Sequence, residues 1–138
     1  MATIPCVLLV DDDPTTNFLN KKLLLRLEVT GPIRVALNGQ EALHELGLHC
    51  QERSADEPVL VFLDINMPVM DGIQFLQAYQ QLPAAEQRAV VVMLTTSVSP
   101  QDQQRVQNLP ITDYLDKPLT QTKVQAILRQ HFAEQPSA

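Results

Sequence analysis

At 138 residues the chain fits one domain whose core needs no disulfide or structural metal, and it leaves no room for a second domain. The net charge is -6, the 10 basic residues are scattered without an aromatic-basic stripe, and no apolar stretch approaches the ~20 residues of a membrane span. Direct nucleic-acid binding and membrane insertion are therefore not expected.

The start, MATIPC, lacks the charged segment and long apolar run of a secretion signal, which predicts a cytoplasmic protein. The first predicted strand is CVLLV (6–10), so Cys6 reads as a core thiol, while Cys50 reads as a loop thiol. Asp11, Asp12 and Asp13 follow. After Pro14 a helix is expected to bury Phe18, Leu19, Leu23 and Leu27. IRVAL (33–37) is the second strand, and the helix after Gly39 carries Ala42, Leu43 and Leu46. The polar stretch HCQERSADEP (49–58) reads as a surface loop. VLVFL (59–63) runs into Asp64, and the helix after Gly72 offers Ile73, Leu76 and Tyr79. VVVML (90–94) ends at Thr95. Ser99, Pro100 and Asp102 make a good helix start, yet Val106 and Leu109 are its sole apolar anchors, so that helix should dock loosely. ITDYL (111–115) is a weaker fifth strand before Lys117. The last helix buries Val124, Ile127, Leu128 and Phe132, and AEQPSA should fray. Strand and helix alternate five times, which predicts an α/β fold with a parallel sheet covered on both faces. The three histidines, His44, His49 and His131, are far apart and predict no metal site.

Ligands of such sheets bind beyond the carboxyl ends of the strands. There the chain places Asp11 and Asp12, Asp64, Thr95 and Lys117. Carboxylates ~4 Å apart repel by on the order of 4 kcal/mol at an effective dielectric of 20, so something must offset that repulsion. Oxygen-only ligands suit a hard cation such as Mg²⁺, and a lysine with a hydroxyl suits a phosphoryl group. Asp13, directly before Pro14, reads instead as the N-cap of the first helix.

VLLVDDDP, FLDINMPVMDG, MLTT and YLDKPL together resemble, in order and over nearly the whole chain, a stand-alone response regulator receiver domain. The resemblance implies a flavodoxin-like (βα)5 three-layer sandwich whose five-stranded parallel sheet has the order 2-1-3-4-5. It implies a single receiver domain over 1–138, with a core of about 5–132 and no output domain. Asp64 would be the phosphoacceptor, attacking a phosphohistidine to give an acyl phosphate. Asp11, Asp12, Asp64 and the Asn66 main-chain carbonyl would hold Mg²⁺, with Asp12 a direct ligand. Lys117 would pair with the carboxylate and then with the phosphoryl oxygens, aimed by a cis-proline at Pro118. Thr95 would bond the phosphoryl group and Tyr114 would turn inward behind it, while Gly72 would supply backbone freedom after the nucleophile. The implied partners are a sensor histidine kinase or a histidine phosphotransfer protein. A downstream target or a second copy would meet the face made by the fourth helix, fifth strand and fifth helix. Such a domain is a phosphoacceptor rather than an enzyme, with Mg²⁺-dependent self-phosphorylation and slow autodephosphorylation. Asn66 and Ser97 would flank the attacking water.

Three other readings compete. Asp11, Asp13 and Thr15 spell D-x-D-x-T, as in haloacid-dehalogenase-type phosphatases with Asp11 as nucleophile, but that reading leaves Asp64 without a task and finds past Lys117 only Glu134 as an acid. A flavodoxin-like cofactor binder would need a glycine- and hydroxyl-rich first loop where this chain is acidic. A degenerate receiver used for docking would lack some of the five chemical positions, all of which are present here.

Overall fold

The computed structural model describes residues 6–27, 32–46, 59–82, 89–95, 100–101, 104, 109 and 111–131, and for Thr95 the main chain. Strands β1 (Cys6–Val10), β2 (Ile33–Ala36), β3 (Val59–Asp64), β4 (Val90–Thr95) and β5 (Asp113–Asp116) alternate with helices α1 (Pro14–Arg26), α2 (Gly39–Glu45), α3 (Gly72–Tyr79) and α4 (Gln121–His131). The strands form one parallel five-stranded sheet of order β2-β1-β3-β4-β5. This is the order the sequence resemblance implies.

Side chains of successive strand residues point to opposite faces, so each strand feeds two cores. Leu8, Val10, Val61, Leu63, Val91 and Met93 pack with Ala42 of α2 and Ile73, Phe75, Leu76 and Tyr79 of α3. Val7, Leu9, Leu60, Phe62, Val92 and Leu94 pack with Leu24 of α1 and Val124 and Ile127 of α4. With both faces covered, β1 and β3 are buried throughout, which is why they read as unbroken apolar runs. Their carboxyl ends lie side by side, with Val10 paired to Leu63, so Asp11 and Asp64 leave the sheet as neighbours.

Three expectations are corrected. Helix α1 does not bury Phe18 and Leu19, which are 60% and 58% exposed; it turns Asn17, Asn20 and Leu24 inward, with Leu23 and Leu27 partly buried. The helix is set by its Asp13 cap and by the Asn17 amide, which donates to the Asp11 carbonyl at 2.8 Å, and these bonds override the apolar count. Cys6 is disulfide-bonded rather than a core thiol, a pairing that spacing in the chain cannot reveal; Cys50 lies outside the described residues. The fifth strand starts at Asp113, two residues later than ITDYL suggests, because Ile111 and Thr112 enter it through a turn in which the Ile111 N-H donates to Leu109. Of the helix expected after Ser99, Pro100, Gln101 and Gln104 are helical, while Val106 lies outside the described residues, as do the 49–58 loop, Phe132 and the AEQPSA tail.

Candidate functional site

The triplet divides as its neighbours require. Asp13 caps α1: one carboxylate oxygen accepts the Thr15 N-H at 3.0 Å and the other accepts the Thr16 hydroxyl at 2.9 Å. The Thr16 bond and then the Thr15 bond hold its pKa below the usual carboxylate value. Asp11 is 4% exposed, and its carboxylate accepts the Asp13 N-H at 2.9 Å and the Lys117 ammonium at 2.8 Å. Asp12 is exposed.

Asp64, 8% exposed, ends β3; its carboxylate accepts the Ile65 N-H at 3.0 Å and stands 3.3 Å from the Lys117 ammonium. Burial pushes its pKa up despite the opposing charge of Lys117, and the charge of Asp11 adds to the rise. For Lys117, burial alone would lower the pKa. The hydrogen bond to Asp11 and the charges of Asp64 and Asp11 outweigh that, so the ammonium is held above its ordinary value. One cation is thus shared by two carboxylates, and the exposed Asp12 is not paired with it.

Asp11, Asp12 and Asp64 each offer an oxygen within 4.8 Å of the others, and among the described residues they are the acidic group able to hold a metal ion. Oxygens ~2.1 Å from one ion lie up to about 4.2 Å apart, so this donor set fits a small hard cation after slight closure. Asn66 is exposed on the loop after β3. The β4 main chain carries Thr95 to the same rim, opposite Asp116 of β5, but its side chain is not among the described ones, and Thr96 and Ser97 also fall outside. Tyr114 is exposed on β5. The Lys117-Pro118 peptide is cis.

Gly72 corrects a further expectation, since neither it nor any other glycine among the described residues adopts a positive φ. Its role is steric: a Cβ there would collide with the Asp64 carbonyl oxygen and lie 3.1 Å from the Ile65 Cα, while its N-H donates to the Ile65 carbonyl at 2.8 Å. Among the described residues it is Val69 that adopts a positive φ, at 67°.

Sequence reasoning missed Asn17, which props Asp11 from α1 and whose Oδ1 is buried without a partner, and Lys123, whose ammonium reaches the loop that carries Lys117. The first had a readable signal: Asn17, Asn20 and Leu24 share one helical face. Nothing favours the phosphatase alternative, since the Asp13 carboxylate that would serve as its acid/base is committed to capping α1.

A parallel sheet of order 2-1-3-4-5 with carboxylates at the ends of its two central strands, and a lysine delivered from the loop after the last strand, defines a flavodoxin-like receiver of the CheY kind. The chain belongs to the response regulator receiver domain family, whose pattern matches residues 7–129. It is 29% identical to two-component response regulator 24 of Arabidopsis thaliana, covering 89% of this chain and 81% of that one. It is 36% identical to the transcriptional regulatory protein CpxR of Escherichia coli K12, covering 94% of this chain but 52% of that regulator, about half its length. The crystal structure of a two component response regulator from Cytophaga hutchinsonii superposes with a TM-score of 0.77 at 27% identity, covering 93% of this chain and 96% of that one. The protein is therefore a signalling domain of two-component systems, a class that interacts with histidine kinases or phosphotransfer proteins. Among the described residues no helix is long and apolar enough to cross a membrane.

Proposed function

We propose that Asp64 accepts a phosphoryl group from a phosphohistidine of a sensor histidine kinase or histidine phosphotransfer protein. The observation that carries this reading is the Lys117 ammonium poised between Asp11 and Asp64, 2.8 and 3.3 Å from their carboxylates, at the mouth of the sheet. A carboxylate oxygen of Asp64 attacks phosphorus in line as the N-P bond breaks, and the histidine nitrogen leaves with the bonding pair. Lys117 then pairs with the phosphoryl oxygens, and the Thr95 hydroxyl donates to one of them. Mg²⁺ would be held by Asp11, Asp12, Asp64 and the Asn66 main-chain carbonyl, and when bound it neutralises charge on the transferring group.

Lys117 and Asp64 also set the resting state. The shared Lys117 ammonium stands beside the Asp64 carboxylate that is to attack and supplies its counter-charge. Tyr114, now exposed, is the residue that would turn inward on phosphorylation, altering the surface of the helix expected after Ser99, β5 and α4 on which a downstream protein or a second copy docks. A groove of about 290 Å³ lined by Leu19, Leu23, Leu119 and Lys117, together with the exposed Phe18 of the same helix, offers apolar surface suited to a protein phosphodonor. We place the reaction in the cytoplasm, where ATP-fed kinases supply the phosphoryl group. Asn66, beside Asp64 and exposed, orients water for slow autodephosphorylation.

The test is phosphotransfer from a radiolabelled phosphohistidine donor with and without Mg²⁺. Label that moves to the protein, needs Mg²⁺ and is released by hydroxylamine, as an acyl phosphate is, supports the reading. Continuous release of phosphate that depends on Asp11 and survives loss of Asp64 would replace it with hydrolysis.

A further inference from the structure

Lys123 lies in the first turn of α4, at the positive end of the helix, where acids are favoured and cations are not. It does not cap the helix; Thr120 does that, its hydroxyl accepting the Lys123 N-H at 3.3 Å and its carbonyl accepting the Val124 N-H at 2.9 Å. The Lys123 ammonium turns back instead and donates to two main-chain carbonyls, that of Asp116 at 2.7 Å and that of Pro118 at 3.1 Å. These carbonyls belong to the residues immediately before and after Lys117. Bonds from a charged donor are roughly twice as strong as neutral ones, which offsets the unfavourable helix position.

We propose that Lys123 is a positioning residue for Lys117, clamping the 116–118 segment so that the Lys117 ammonium reaches Asp11 and Asp64 together. Asp116 is the last residue of β5 and pairs with Thr95 of β4, so one carbonyl is anchored to the sheet. The clamp extends that anchorage across Lys117 to Pro118. A cation is suited to the task because it supplies several donors from one atom and can grip two carbonyls at once. The effect on phosphoryl transfer rests on the function proposed above, whereas the placement of Lys117 does not.

Lys123→Met keeps most of the aliphatic stem and removes the donors; Lys123→Arg restores them. The first readout is acylation of Lys117 by a limiting N-hydroxysuccinimide ester on the folded chain, quantified by peptide mass spectrometry against the exposed Lys21 and Lys22. The second is the rate of phosphorylation by acetyl phosphate with Mg²⁺. In Lys123→Met, Lys117 labelling should rise several-fold at unchanged Lys21 and Lys22 labelling, and phosphorylation should slow roughly tenfold, the scale of a slightly misplaced reacting group. Lys123→Arg should return both toward wild type. Unchanged Lys117 labelling in Lys123→Met overturns the proposal whatever the phosphorylation rate, and so does a Lys123→Arg protein that labels like Lys123→Met. If wild type takes no phosphoryl group while Lys117 labelling still rises, the proposed function fails and the positioning role stands. Should Lys123→Met not fold, Lys123→Leu, which also lacks donors, gives the same labelling comparison.

Discussion

Gly72 backs onto Asp64 so closely that a Cβ on Gly72 would overlap the Asp64 carbonyl oxygen. Backbone lies on both sides of this contact, so neither partner can swing away as a side chain could. Gly72→Ala should destabilise the fold by roughly 1 to 3 kcal/mol, the usual cost of overpacking, and should slow phosphorylation by displacing Asp64. Thermal unfolding and the acetyl phosphate rate check the two effects. A Gly72→Ala protein that melts and reacts like wild type would show that the loop relaxes freely.

The second prediction concerns pH in the presence of chelator. Burial raises the Asp64 pKa above 3.8, so the folded state binds more protons than the unfolded state between 3.8 and that raised value. Stability is therefore lost as pH rises through this window, and the cost persists at neutral pH. Asp64→Asn removes it. The variant should melt higher than wild type at pH 7, and its lead should shrink as pH falls toward 3.8. A melting curve lower than wild type at neutral pH would mean that Lys117 more than compensates for the burial of the charge.

What could be read from the sequence follows from what is local. β1 and β3 were legible as runs of apolar residues, and Asp11, Asp64 and Lys117 could be expected to converge because parallel strands end on one rim. The rotation of α1 was not, because the hydrogen bond from Asn17 to the Asp11 carbonyl outweighs a count of apolar positions. Nor was the packing of Gly72, a contact with the end of another element rather than a turn conformation. Lys123 gave no signal at all: a lysine in a first helical turn looks solvated until the carbonyls around Lys117 are placed beside it.

The third prediction separates the carboxylates. Lys117 serves Asp11 and Asp64, which leaves the exposed Asp12 charge to repel both. Asp12→Ala should raise the melting temperature in EDTA, by the equivalent of up to about 1 kcal/mol for so exposed a charge. Saturating Mg²⁺ should reverse the order, because a ligand at 100 times its dissociation constant stabilises the intact site by about 2.7 kcal/mol. Unfolding of both proteins across a Mg²⁺ titration measures this; equal gains from Mg²⁺ would remove Asp12 from the metal site.

Val69 is 75% exposed, so little packing compensates for its φ of 67°. A β-branched residue in the left-handed region costs roughly 1 to 2 kcal/mol, and asparagine tolerates that region far better. Val69→Asn should raise stability by about 1 kcal/mol, measured by urea unfolding. A loss of stability would show that the exposed valine makes contacts that outweigh its backbone.

The most direct test of the phosphoacceptor assignment is intact-mass spectrometry after incubation with Mg²⁺ and acetyl phosphate. Wild type should gain one phosphoryl group, Asp64→Asn none, and Asp13→Asn nearly as much as wild type, because Asp13 caps α1 rather than serving the chemistry. A phosphoryl group that still appears on Asp64→Asn, mapped to the same peptide, would contradict the account.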